Sequence, residues 1–195
     1  MALSYGIVAD VSLTLESVLK AALSVLNPAA TAEISDLTGT PSKNPARVTL
    51  LLFEITEDPT SKNRPRIRTN VPPNLVISKP PMALLLRYMF TGWSGDPKTD
   101  QTMLARVMQV LYDGAIISGP QLLGSLANSD QALKVTLAPI TLDERTRVWY
   151  SIQKSYRLSL TYEVRVVNLF SETHTRAAPV SGRSVDSSVP VGSPA

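Results

Sequence analysis

The chain has 195 residues and 44% hydrophobic content, enough for one domain with a sizeable core and a tail. It contains no cysteine, which excludes disulfides and thiolate metal sites and leaves nothing that favours an oxidising compartment. The formal charge of +3 is small for this length, and the pI near 9.3 reflects a slight excess of Lys and Arg rather than the concentrated charge of a dedicated nucleic-acid binder.

From Tyr5 to Leu26, the residues Ile7, Val11, Leu15, Val18, Leu19, Ala22 and Leu26 recur at helical spacing, and Asn27-Pro28 stops the pattern. Asp10 and Glu16 interrupt the apolar run and no basic segment precedes it, so the stretch predicts an amphipathic helix, neither a signal peptide nor a spanning helix. Residues 28–47, rich in Ala, Thr, Pro and Ser, read as a loop that holds at most a short extended piece over 32–37. Residues 48–55, VTLLLFEI, are apolar on both parities and predict a strand buried on both faces. The following EDPTSKNRPRIRTNVPPN is too polar and proline-rich for a regular central element and reads as an exposed connection bearing Lys62, Arg64, Arg66 and Arg68.

After Pro80-Pro81, the run MALLLRYMFTGW predicts a second buried strand with Met82, Leu84, Leu86, Tyr88 and Phe90 on one face. A helix follows, with Thr99 or Asp100 as its N-cap and Met103, Leu104, Val107, Met108, Val110 and Leu111 as its apolar stripe, ending at Asp113-Gly114. Residues 133–138 predict a shorter strand. Thr141 with Glu144 three residues on is a capping box opening a helix that carries Val148, Trp149 and Ile152 on one face.

The most strongly patterned stretch is SYRLSLTYEVRVVNLF, residues 155–170. Tyr156, Leu158, Leu160, Tyr162, Val164 and Val166 alternate with Arg157, Ser159, Thr161, Glu163 and Arg165, which predicts a long half-buried strand over 156–167. At about 3.3 Å per residue such a strand spans roughly 40 Å, enough to serve a core and also a partner. From residue 171 the composition turns to Ser, Thr, Pro, Val and Gly, so the domain is expected over 1–170 and a flexible tail over 171–195.

No phosphate-loop, dinucleotide, zinc-protease or nucleophile-elbow motif occurs, and the one histidine, His174, lies in the tail. Asp143 and Glu144 are accounted for by capping and the helix dipole, and Trp93, Trp149, Tyr88 and Tyr162 sit on apolar faces as core residues. Arg157 and Arg165 read most simply as a solvated sheet face, with a protein interface as the alternative. The run Lys62, Arg64, Arg66 and Arg68 reads as a solvated loop or as a contact for an acidic protein, ahead of nucleic acid because no aromatic is interleaved.

The order and spacing of PPMALLLRYMFTGW, MLARVMQVLYDGAIIS and LAPITLDERTRVWYSIQKSYRLSLTYEVRVV resembles the cap or tail-terminator proteins of extracellular contractile injection systems, over about residues 5–170. The pieces that carry the likeness are Pro81, Leu84, Leu86, Tyr88 and Thr91, then Ala105, Met108, Gln109 and Leu111, then Trp149, and finally Tyr156, Leu158, Ser159, Tyr162, Glu163 and Val164. Ala105 stands where a glycine is expected and Ala115 where a proline is common, departures that bear on local turns. The resemblance implies an α/β (α+β) fold, a single mixed sheet packed by about three helices. It also implies a non-enzymatic subunit without cofactor, forming a homo-oligomeric ring of six that closes sheath and inner tube at the end distal to the baseplate. Assembly in the bacterial cytoplasm, with no nucleic acid bound and no membrane insertion, goes with that role. Two alternatives stay open: the tail-completion protein of a contractile phage, and a small-ligand module, which would need a pocket lined by Arg87, Glu54 and Arg106.

Overall fold

The computed structural model describes residues 5–71, 74–127, 129–171 and 174–177. Helix α1 (Ile7–Leu23) buries Ile7, Val11, Leu15, Leu19 and Leu23 along one face, the spacing read from the sequence. Strand β1 (Ala30–Ile34) follows and pairs in parallel with β2 (Ala46–Glu57). The loop expected over 28–47 thus contains an edge strand. Its five residues are too short for alternation to show; the ladder to β2, burial of Ala30 and Ala32 in the core and the Ile34 amide donating to Glu16 of α1 fix them.

A single 3-10 turn, Pro59–Ser61, opens the proline-rich connection. The rest of that connection is not the irregular loop expected, because β3 (Ile67–Val71) and β4 (Asn74–Ser78) form an antiparallel pair within it. Pro65 precedes the first strand and Pro72-Pro73 separate the two in sequence, so neither strand lacks an amide inside its ladder.

Strand β5 (Met82–Trp93) coincides with the predicted run. Helix α2 (Pro97–Asp113) starts earlier than expected, because Asp96 is its N-cap, accepting from the Thr99 amide at 2.9 Å, and Pro97 takes the first turn. Asp100 instead ties the helix to the end of β5, accepting from the Ser94 amide at 2.8 Å and hydroxyl at 2.7 Å. The chain continues through β6 (Ile116–Ser118), β7 (Ala132–Leu137) and α3 (Leu142–Ser151), whose Thr141 and Glu144 form the expected capping box. Strand β8 (Ser159–Leu169) closes the main sheet, and β9 (His174–Ala177) pairs with β4. The strand His174–Ala177 lies inside the stretch expected as a tail, and residues 178–195 lie outside those described.

The chain divides into two compact units, residues 1–64 with 81–170 and residues 65–80 with 171–195. The larger holds the expected mixed sheet, of order β1-β2-β5-β8-β7-β6, and all three helices; the smaller holds a three-stranded sheet of order β3-β4-β9. On one face of the large sheet, α1 and α2 cover Val48, Leu50, Leu84, Leu86, Tyr88, Phe90, Tyr162 and Val164. On the other, α3 places Trp149 against Leu37, Leu51, Met89 and Trp93. Both faces of β5 are therefore buried. Burial pushes the Tyr88 hydroxyl up to about 12, against a 2.8 Å hydrogen bond shared with Ser12.

Strand β8 starts three residues later than the alternation predicted. Arg157 does not extend the ladder but lies 4.4 Å over the Trp93 ring and donates to Asp100 at 2.9 Å, while Tyr156 and Leu158 are about half exposed. Within β8 the register slips: Leu86 pairs with Val164 and Leu84 with Val167, an extra residue on β8 that lets both valines face the first core.

Beyond α3, the second face of the sheet carries a ladder of alternating charge. Arg87 donates to Glu54 at 2.6 Å and to Glu163 at 3.0 Å; Arg165 donates to Glu163 at 2.9 Å and lies 3.9 Å from Asp58. Burial pushes the Glu163 carboxyl up, but hydrogen bonds from Arg165 and Arg87 outweigh it and hold the group below the usual carboxylate range. Asp58 is also held low, its burial offset by hydrogen bonds from the Thr60 hydroxyl and amide and by Arg165 and Arg64.

Trp149→Ala empties a site that is 1% exposed and orphans the Ser159 hydroxyl 3.3 Å from the indole nitrogen, so chemical denaturation should show a loss of about 3–5 kcal/mol. The ionic ladder predicts a dependence on pH. Because Glu163 and Asp58 titrate lower in the folded chain, their stabilisation is present above the unfolded carboxylate range near pH 4 and is lost as pH falls through the folded values. Glu163→Gln should therefore cost about 2 kcal/mol at pH 7, and its melting temperature should converge with the parent's as the solution is taken toward about pH 3. A constant gap across that range would contradict the linkage.

Candidate assembly surfaces

The six cations marked in the sequence are not one patch. In the larger unit Lys62 lies 3.7 Å from Glu57, and Arg64 donates at 2.9 Å to the Asn168 amide oxygen, whose own amide donates to Gln131 at 2.8 Å. Arg157 and Arg165 are held by the internal partners already described, each with a side chain 34% exposed. The solvated sheet face expected for them is half-buried, because Ser159, Thr161 and Glu163 between them are covered. Exposed pairs of the Lys62 kind contribute little to stability, so that lysine remains available to a partner.

Arg66 and Arg68 stand apart, on the three-stranded sheet. Ile67 pairs with Ser78 and Arg68 with Ile77, which pairs in turn with Thr175. Arg66 and Lys79 each lie one residue outside the Ile67–Ser78 pair and line one cavity with Ile77 and Thr175. Alternation then puts Arg66, Arg68 and Lys79 on one face with Ile77 and Thr175. All three cations are exposed, and among the described residues none has an ion pair. Sequence reading missed Lys79 as their neighbour because it is far from them along the chain and only the β3–β4 register brings it back.

An apolar groove of about 500 Å³ lies between α2 and the β7 edge, lined by Met108, Leu111, Tyr112, Ala115, Val135, Leu137 and their neighbours. Met108, expected in the core stripe of α2, is 40% exposed here; Tyr112, one turn on, is 85% exposed, and Leu137 53%. The strand β6 ends opposite Lys134, so the last residues of β7 have no strand on this side. The lining offers one amide, Gln109, and the hydroxyls of Tyr112, Thr136 and Tyr162, a set suited to burying apolar surface more than to acid-base chemistry. The residues that would have marked a ligand pocket do not converge: Arg87 and Glu54 are paired on the sheet face, whereas Arg106 donates to the Ala22 carbonyl and to Gln109 on α2. No helix among the described residues is long and apolar enough to cross a membrane.

The N-terminus of α1 is pinned by a polar clasp. The Asp10 carboxylate accepts from the Ser125 amide at 2.9 Å and hydroxyl at 2.5 Å, and Gly124, at φ +62, would press any β-carbon to 2.0 Å from Asp10. Only glycine fits there.

Two solved structures share this architecture. The sheath/tube terminator of an extracellular contractile injection system, PVC, in its extended state is 19% identical with a TM-score of 0.64, covering 98% of this chain and 66% of that one. The tube-terminating cap of the anti-feeding prophage is 20% identical with a TM-score of 0.59, covering 91% of this chain and 60% of that one. At these identities the likeness is one of fold, and this chain spans about two thirds or less of those proteins' length. No curated protein matches its sequence. Residues 10–183 match the Pvc16 N-terminal domain, and the chain belongs to that family.

Proposed function

We propose that this chain is a structural, non-catalytic subunit that closes the end of a contractile injection particle, stopping growth of sheath and inner tube. The observation that carries this reading is the fold shared along 98% of the chain with a sheath/tube terminator, supported by the like fold of a tube-terminating cap. The apolar groove beside α2 and the exposed Tyr112 and Leu137 support a protein that buries surface in an assembly.

Six copies form a closed ring in this proposal, made in the bacterial cytoplasm with the particle. A tube of symmetric layers ends on a surface repeated around its axis, and a head-to-tail ring meets every repeat in the same way. Growth stops because the ring occupies the last polymerising surface without presenting another. The interactions made by the parts of the terminator and cap that this chain does not match are not carried over.

In mass photometry the protein, alone or with sheath and tube ends supplied, should show a species at about six protomer masses. A chain that stays monomeric under both conditions would rule out the ring. In a strain lacking the gene, electron microscopy should show particles of variable length or with frayed ends distal to the baseplate. Uniform, stable particles in that strain would exclude a capping role.

A further inference from the structure

The two units of this chain arrange charge on opposite principles. In the larger, Glu54, Arg87, Glu163, Arg165 and Asp58 alternate in sign across neighbouring strands and neutralise one another. In the smaller, Arg66 and Lys79, each one residue outside the β3–β4 ladder, line one cavity with Ile77, and Arg68 stands opposite Ile77 in the ladder. Residues 65–80 contain no Asp or Glu at all. By sequence, residues 65–80 and 171–195 carry five Lys and Arg against two acidic residues, an excess equal to the formal charge of +3 of the whole chain; the larger unit carries fourteen of each. By sequence, the net positive charge of the chain falls in these two segments.

Arg66 and Lys79, which line one cavity, repel each other in the free protein, and no carboxylate among the described residues pairs with either. We infer that this face binds an acidic, extended protein segment, laid beside β3 as a fourth strand, with its carboxylates at alternate positions. Among the described residues β3 has a strand on one side only, in the order β3-β4-β9, so its other edge offers main-chain hydrogen bonds to an added strand. Alternate residues of an extended chain repeat at about 7 Å, the spacing between Arg66 and Arg68 along β3. A cavity of about 110 Å³ lined by Arg66, Ile77, Ser78, Lys79 and Thr175 lies on this cationic face. Residues 65–80 contain no aromatic on which a base could stack, and a nucleic acid cannot continue the edge ladder, so the chemistry favours a peptide.

This inference rests on the small sheet alone and stands or falls independently of the capping role, which particle length decides. The test titrates the full-length protein into fluorescently labelled peptides by anisotropy. A peptide alternating Glu and Thr should bind at least about tenfold more tightly than its Gln-Thr counterpart and should weaken as salt rises from about 50 to about 200 mM. A peptide of the same composition with its Glu residues in one block should bind more weakly than the alternating one. Joint replacement Arg66→Gln, Arg68→Gln and Lys79→Gln should remove binding with the melting temperature kept or raised, whereas Arg147→Gln, at an exposed cation on α3, should not. Equal binding of the Gln-Thr or blocked peptide, retention of binding by the triple variant, or tighter binding of a single-stranded oligonucleotide would each overturn the proposal.

Discussion

Strand β5 is buried on both faces along nearly its whole length, and the rest of the larger unit is arranged around covering it. Its two sides need different partners because they carry different residues. Leu84, Leu86, Tyr88 and Phe90 present a continuous apolar row that two helices can cover, and α1 and α2 do so. The opposite row begins with Trp93 and Met89, which α3 covers through Trp149, and then reaches Arg87, which pairs with Glu54 and Glu163 instead of lying under a helix. The ionic ladder across Glu54, Glu163, Arg165 and Asp58 completes that face where the apolar cover stops.

The ladder also explains why β8 and the bend before it take the form they do. Glu163 and Arg165 must both reach the second face while Val164 and Val167 reach the first, and strict alternation cannot satisfy all four. The extra residue opposite Leu84 and Leu86 resolves the conflict. At the other end of the strand, Arg157 gives up the ladder for Asp100 and the Trp93 ring, which locks the start of β8 to the start of α2. One aspartate thereby joins the end of β5, the first turn of α2 and the approach to β8.

What the sequence made legible were the elements whose own residues carry the signal. The spacing along α1, the doubly apolar β2 and β5 and the Thr141–Glu144 box each announce themselves within about a dozen residues. What it hid were elements that exist through a distant ladder: β1 against β2, and β3, β4 and β9 against one another. Short strands of mixed polarity have no period long enough to read, and prolines between two of them look like loop until the pairing is known. The same blindness applied to surfaces. Arg66 and Arg68 were visible as a basic run, but Lys79 joined them only through register, and the run's other members, Lys62 and Arg64, belong to the larger unit. Met108 shares the helical stripe of α2 yet lies past the edge of the sheet, so the period placed it in the core while the end of β6 left it in the groove.

This division bears on how a fold persists at 19–20% identity to the two solved structures it resembles. A core asks of its residues volume and apolarity more than identity, so α1, α2 and the face of β5 they cover can exchange Leu, Ile, Val and Met at small cost. The ladder asks only that signs alternate, and it can be rebuilt with either sign first. Neither constraint selects a partner. A surface whose charges are already satisfied internally adds little net attraction to an incoming chain, since each ion pair formed with that chain displaces one already made. Arg66, Arg68 and Lys79 have no ion pair among the described residues, so a carboxylate that meets them displaces none of the pairs described. The proposed docking of an acidic segment therefore draws on the smaller sheet, while the ladder residues of the larger unit answer first to their own internal pairs.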